Sequence, residues 1–142
     1  MAAHVELYRD EFATYTRDAD REVIEQRWSS ATKSMSEQQF RDGVSRLAHF
    51  LEQTHIPSAF VDITEMGYTP SDDFESWRQS NIIPRYNAAG VKKFGFLLPS
   101  GAPGSVESGK EPTVEGAAQF PTGYFLSRDR AYEWFESTSK GS

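Results

Sequence analysis

Two short apolar runs constrain the fold of this chain more than any other feature of the sequence. Residues 59–64 (AFVDIT) and 93–98 (KFGFLL) are mostly hydrophobic and aromatic. A strand with one face in water alternates apolar and polar residues, whereas a nearly continuous apolar run is typical of a strand covered on both faces. We therefore expect the two runs to lie side by side in the middle of one sheet.

Strand and helix patterns alternate around these two runs. Residues 5–28 hold alternating segments that predict two or three antiparallel strands. Helices are predicted to begin at Ser36, whose capping-box partner is Gln39, at Thr69 and at Ser127. The order β-β-β-α-β-α-β-loop-β-α predicts an α/β fold, in which helices pack against a mixed sheet.

Length and local composition predict one domain spanning residues 1–142. A chain of 142 residues falls within the commonest domain size, about 100–150 residues. Residues 99–116 contain four Gly, three Pro and three Ser, which is typical of a flexible polar insertion. The small polar residues 137–142 predict a frayed tail.

Charge and cysteine content exclude several classes of function. The chain has 15 Lys and Arg against 21 Asp and Glu, a net charge of −6, and no cysteine. A disulfide scaffold, a thiolate zinc site and a cysteine nucleophile are excluded. An acidic chain without clustered basic residues is not expected to bind nucleic acid. No apolar run reaches the roughly 20 residues of a membrane span, and no secretory signal is recognisable, so we expect a cytoplasmic protein.

The remaining chemical motifs predict neither a metal nor a cofactor. His4, His49 and His55 do not have metal-ligand spacing. The glycines at 101 and 104 follow a predicted strand but lack the lysine and helix start of a nucleotide-binding loop.

Asp62 differs from the other acidic residues because it interrupts a predicted apolar strand near the end of that strand. A buried carboxylate must be hydrogen-bonded or have a shifted pKa. One interpretation is that Asp62 accepts bonds from loop amides or pairs with an arginine. The other makes Asp62 a polar anchor in a pocket at the carboxyl edge of the sheet, where open α/β sheets commonly bind ligands.

Aromatic residues make up 13% of the chain, and they allow two interpretations. Large amphipathic side chains build small cores and dimer interfaces. The same side chains can instead line one apolar cleft with polar tips. The candidates for such a cleft are Tyr68, Trp77, Tyr86, Tyr124 and Trp134.

Three segments resemble a pattern found in bacterial stand-alone STAS-like proteins. They are residues 61–64 (VDIT), the stretch from Trp77 through 83–85 (IPR) to 89–96 (AGVKKFGF), and 124–135 with its YF and RAYEWF motifs. The likeness extends over roughly residues 5–136. These proteins are similar in fold to anti-sigma-factor antagonists and, more remotely, to Sec-type lipid-transfer domains.

The resemblance implies a four- or five-stranded mixed sheet with helices mainly on one face. In the antagonists, a partner kinase phosphorylates a Ser or Thr at the start of the helix that follows the central strand. The matching hydroxyls here are Thr69 and Ser71, but the Asp-Ser-Ser-Gly signature is absent, and Pro70 and two aspartates stand in its place. We therefore expect no stable phosphorylation at either hydroxyl.

Three functional hypotheses follow from the sequence. The first is a non-catalytic STAS-like binding or regulatory module that acts through a protein partner, with a homodimer as its expected assembly. The second is a carrier or sensor of an apolar or aromatic small molecule, with Trp77, Tyr86 and Tyr124 as walls and Asp62 or Arg85 fixing its polarity. The third is an enzyme that uses Asp62 as acid or base, with Arg85 holding an anion.

Overall fold

One mixed sheet of seven strands organises the part of the chain that the computed structural model describes, residues 4–137. The strands lie in the order β1-β2-β3-β4-β5-β7-β6. β1 to β3 pair antiparallel, β3, β4, β5 and β7 run parallel to their neighbours, and β6 pairs antiparallel with β7. Their bounds are β1 His4–Arg9, β2 Ala13–Asp18, β3 Val23–Trp28, β4 Ser58–Asp62, β5 Lys93–Leu97, β6 Thr113–Val114 and β7 Pro121–Phe125.

Within residues 4–137, four α-helices cover the two faces of this sheet unequally. α1 spans Glu37–Thr54, α2 Phe74–Asn81, α3 Ile83–Ala89 and α4 Arg128–Glu136. The first three contribute to the larger hydrophobic core, which covers the face that carries Ile24, Val61 and Phe94. α4 packs on the opposite face, where Phe60 and Phe125 belong to a second, smaller core.

The two apolar runs form adjacent central strands, as the sequence predicts. β4 and β5 pair with Phe60 opposite Gly95 and Val61 opposite Phe96. All five residues of β4 are buried. Successive side chains of a strand point to opposite faces, so each strand supplies both hydrophobic cores, and this requirement explains the continuous apolar run.

The expectation of a four- or five-stranded sheet is wrong, because the sheet has seven strands. Three antiparallel strands precede α1, and a two-residue strand, β6, adds to the far edge. The α/β class and the mixed sheet are confirmed.

Helix boundaries follow the predicted signals at α1 and α4. Ser36 and Gln39 form the capping box of α1, with the Ser36 hydroxyl accepting from the Gln39 amide and the Gln39 side chain accepting from the Ser36 amide. The Ser127 hydroxyl accepts from the Arg130 amide at the start of α4. Each side chain satisfies a backbone donor that a helix N-terminus leaves unpaired.

The predicted start of the second helix at Thr69 is wrong, since α2 begins at Phe74. The Ser71 amide donates to Glu37 Oε1 at 3.0 Å, and the Ser71 hydroxyl donates to Asp73 Oδ1 at 2.6 Å. Arg41 of α1 also donates to the Ser71 hydroxyl and to Asp73, at 3.3 and 3.1 Å. Contacts with Glu37 and Arg41 of α1 therefore occupy polar groups of Ser71 and Asp73 just before α2.

Residues 99–116 contain a 3-10 turn, Val106–Ser108, and the strand β6. Glu107 in that turn accepts from the backbone amides of Leu126 and Ser127, which connects the segment to the start of α4. Of the predicted tail at 137–142, all but Ser137 lies outside the described residues. Within 4–137, no helix is long and apolar enough to cross a membrane.

Candidate functional site

A cavity of about 390 Å³ lies between the sheet and the helices of its more heavily covered face. We call it the sheet–helix cavity. Its apolar wall is formed by the strands β3, β4 and β5, the helices α1, α2 and α3, and the connections that follow β4 and β5. The apolar and aromatic lining residues, other than Tyr86 and Tyr124, are Trp28, Phe40, Val44, Leu47, Val61, Ile63, Met66, Phe74, Phe94, Phe96 and Leu98.

Strand alternation places these side chains on one face. The lining side chains are spaced two residues apart within each segment, so they point to the same side of the sheet. These are Val61 and Ile63 in and after β4, and Phe94, Phe96 and Leu98 in and after β5. The cavity therefore lies toward the carboxyl ends of the parallel strands, the edge at which open α/β sheets commonly bind ligands.

Aromatic rings form a continuous surface along one wall. The rings of Phe96 and Tyr124 are stacked, with centroids 5.4 Å apart. Phe94 contacts both Phe96 and Tyr86, with ring centroids at 5.2 and 5.1 Å. This wall can stack against a planar apolar molecule.

Charged residues contribute to the lining, and each has an opposite charge nearby. Arg78 Nη1 donates to Glu75 Oε2 at 3.0 Å. Glu115 accepts from the Tyr124 hydroxyl at 2.8 Å, and Lys110 Nζ lies 4.0 Å from the same carboxylate. Burial raises the pKa of Tyr124, and the bond to Glu115 raises it further.

Four of the eight predicted ligand and regulatory residues lie in or next to this cavity. Tyr86 and Tyr124 line it directly. Tyr68 and Trp77 lie one layer behind, since Tyr68 packs on Phe40 with centroids 5.2 Å apart and Trp77 packs on Phe74 at 5.8 Å.

The structure places Asp62 on the opposite face of the sheet, outside the cavity. The Arg128 guanidinium lies 3.3 Å from one Asp62 oxygen, and the Thr64 amide and hydroxyl donate to the other at 3.0 and 2.7 Å. Arg27 lies 3.5 Å away. Asp62 is thus paired with arginines and bonded to a loop amide, which was the first interpretation of this residue.

Arg85 and Trp134 also lie away from the cavity. Arg85 donates two hydrogen bonds to Glu52 at 2.8 and 2.7 Å, joining α3 to α1. Trp134 packs on Phe125 beneath α4, with ring centroids 5.6 Å apart. Neither side chain is placed to fix the polarity of a molecule in the cavity.

The predicted regulatory residue Ser71 belongs to a cluster around Glu37, whereas Thr69 is exposed next to it. Tyr68 donates to Glu37 Oε1, and Arg41 donates to Glu37 Oε2 at 2.8 Å. The Tyr68 hydroxyl, the Arg41 guanidinium and the Ser71 amide lower the pKa of Glu37 to about 2. Burial and the bond to Glu37 raise the pKa of Tyr68 to about 12. A phosphate on Ser71 would lie beside the carboxylates of Glu37 and Asp73 but also beside the Arg41 guanidinium, which donates to the Ser71 hydroxyl at 3.3 Å. The absence of stable phosphorylation therefore stays a prediction.

The sequence did not predict four polar residues that line the cavity, namely Gln26, Glu75, Arg78 and Glu115. The sequence does contain a signal that could have identified Gln26. It lies two residues from both Ile24 and Trp28, so the three side chains share one face of β3. The other three lie on a helix and a connection whose placement depends on tertiary contacts. Among residues 4–137, no group of three or more His, Cys, Asp or Glu is arranged to hold a metal ion.

Comparison of the chain with protein-family models, with curated proteins and with solved structures gave no match.

Proposed function

We propose that this protein binds a small, largely apolar or aromatic molecule in the sheet–helix cavity, as a carrier or sensor. The observation that carries the proposal is a cavity of about 390 Å³ with a mainly apolar and aromatic lining. Ligand sites in proteins are typically about 300–1,000 Å³ and combine apolar walls with a few placed polar groups. The cavity matches the small end of that range.

The size of the cavity favours a ligand site over imperfect packing. Protein interiors are close-packed, and they contain few voids larger than a water molecule. The cavity is partly open to solvent, so apolar wall atoms such as those of Phe96 are accessible to water. A bound apolar molecule would remove that apolar surface from water, which is favourable.

The lining chemistry favours binding over reaction. Within the described part of the chain, the lining contains neither a histidine nor a hydroxyl nucleophile of the serine or threonine type. Its carboxylates, Glu75 and Glu115, are already hydrogen-bonded to Arg78 and Tyr124. Asp62, the residue on which an acid–base mechanism depended, faces the other side of the sheet.

The alternative of a STAS-like module that acts through a protein partner stays a prediction from the sequence. The homodimer and the cytoplasmic location stay predictions as well. The cavity supports the small-molecule hypothesis directly, and we therefore place it first.

Binding of benzene, followed by amide chemical shifts in NMR, tests the proposal. We expect a dissociation constant of about 1–10 mM for such a small hydrocarbon, with shifts concentrated at Val61, Phe96 and Tyr124. Shifts absent up to the solubility limit of benzene, or confined to the α4 face, would refute the proposal.

A pair of variants tests the location. Val44→Phe adds a ring to the α1 wall of the cavity and is expected to weaken benzene binding at least fivefold. Val114→Phe makes the same change at a position that is 60% exposed on β6, and it is expected to leave the affinity within twofold. Equal effects of the two substitutions would contradict the proposed site.

A further inference from the structure

Gln26 presents an unused hydrogen-bond acceptor in the wall of the sheet–helix cavity. Its side chain is 2% exposed, and Nε2 donates to the Gly43 carbonyl at 3.0 Å and to the Tyr15 hydroxyl at 3.1 Å. A carbonyl oxygen only accepts, so Gly43 fixes which end of the amide is nitrogen. The other end, Oε1, accepts no hydrogen bond from residues 4–137 and belongs to a side chain that lines the cavity.

Tyr86 presents an unused donor in the same wall. It is 2% exposed and lines the cavity, and its hydroxyl forms no hydrogen bond with residues 4–137. Burial raises the pKa of Tyr86, so the phenol keeps its proton at neutral pH and can donate.

Two unpartnered polar groups in one apolar cavity point to a complementary ligand. Among residues 4–137, only Arg17 Nε is a fully buried side-chain nitrogen or oxygen without a partner, so Gln26 Oε1 and the Tyr86 hydroxyl both touch accessible space. A site that offers such groups selects ligands that complete their hydrogen bonds. A pure hydrocarbon would leave both Gln26 Oε1 and the Tyr86 hydroxyl unsatisfied.

The charges of the lining indicate that this ligand is neutral. Glu75 is paired with Arg78, and Glu115 is bonded to Tyr124 beside Lys110. Among residues 4–137, each charged group of the wall therefore has an opposite charge nearby, and transferring an ionised group into the cavity would be costly.

On the basis of the proposed function, we infer that the ligand is a neutral aromatic molecule that carries one or more hydroxyl-type groups, which donate to Gln26 Oε1 and accept from the Tyr86 hydroxyl. The aromatic body stacks along Phe94, Phe96 and Tyr124. The polar group supplies the specificity that the apolar walls lack.

Three single-ring probes of similar size, benzene, phenol and benzoate, test this inference by NMR titration. An entirely apolar wall binds phenol more weakly than benzene, because burying an unpaired hydroxyl is costly. We expect phenol to bind at least as tightly as benzene and benzoate to bind at least fivefold more weakly than phenol. Phenol weaker than benzene, or benzoate tighter than phenol, would overturn the inference while leaving the proposed function standing. If neither benzene nor phenol binds, both this inference and the proposed function are wrong.

The variant Tyr86→Phe assigns the effect to one hydroxyl. It removes no hydrogen bond within residues 4–137, so the protein is expected to fold. The ratio of phenol to benzene affinity should fall about 2- to 10-fold, the range for one hydrogen bond. Tyr8→Phe, on the partly exposed β1 strand, should leave that ratio unchanged. An unchanged ratio in Tyr86→Phe would contradict the assignment.

Discussion

Gly43 lies in the middle of α1, where its missing side chain makes room for the Trp28 indole. A Cβ at this position would lie 2.4 Å from Trp28 Cη2 and 3.1 Å from the Tyr15 hydroxyl. The Gly43 carbonyl also accepts from Tyr15 and Gln26. The close approach of strand and helix behind the cavity therefore depends on the absence of a side chain here.

Gly43→Ala is expected to destabilise the protein although alanine is the better helix former. The helix propensity gain of about 1 kcal/mol is opposed by overpacking against a buried ring, which typically costs about 1–3 kcal/mol. Because the helix gain offsets part of that cost, we expect a net loss of about 1 kcal/mol in the free energy of unfolding, measured by urea denaturation. His49→Ala, an exposed position of the same helix, should change stability by less than about 0.5 kcal/mol. A Gly43→Ala variant as stable as the native protein would show that Trp28 moves aside freely.

For individual residues, the sequence predicted burial better than it predicted side-chain contacts. Asp62 was correctly identified as a buried carboxylate. It shares its face with Phe60, two residues earlier, and so points toward α4, while Val61 between them points toward the cavity. Strand alternation divides residues into two sets, but only the packing of the helices decides which set borders the cavity.

The segment that joins β4 to α2 is held against the first turn of α1 by one side chain. Glu37 accepts from Tyr68, Arg41 and the Ser71 amide. These contacts lower the pKa of Glu37 to about 2 from an ordinary value of 4.5. A carboxyl whose pKa is lower in the folded state stabilises that state above its unfolded pKa, and the stabilisation is lost as the pH falls toward the folded value.

Glu37→Gln is therefore expected to have a pH-dependent effect. Above about pH 5, the variant should be about 1 kcal/mol less stable, a figure that reflects the partly solvent-exposed cluster. The difference should shrink between pH 4.5 and pH 2, as the native carboxylate takes up its proton. Urea denaturation across this range measures it, with Glu65→Gln, an exposed position of the same segment, as the control. A difference that stays constant from pH 7 to pH 2 would exclude the carboxylate charge as its cause.

The same cluster explains why element boundaries were predicted unevenly. The capping box of α1 is local, with donor and acceptor three residues apart, and the sequence located it correctly. The start of α2 depends on Glu37, more than 30 residues away from Ser71, and no local signal reports that contact. Thr69 and Pro70 have the chemistry of a helix start, but the chain uses this region to contact α1.

Considered as a whole, the molecule builds its cavity from residues that are far apart in the chain. The lining extends from Gln26 in β3 to Tyr124 in β7, with α1, α2 and α3 between them. The sequence could predict the central strands and the carboxyl edge where such a cavity lies. It could not predict the space itself, because the volume depends on how closely helices from three different segments approach the sheet.

This distribution of the lining predicts that a bound molecule stabilises the whole fold. Unfolding any wall destroys the site, so binding shifts the global equilibrium by RT ln(1 + [L]/Kd), which is about 1 kcal/mol at five times the dissociation constant. For a chain of this length, thermal unfolding should shift upward by about 3–5 °C. Calorimetry of the native protein with benzene at that concentration measures the shift, and Val44→Phe, with its cavity filled, should show a much smaller one. If the two proteins shift equally, benzene stabilises the fold from somewhere other than the sheet–helix cavity, because only in the native protein does that space remain open.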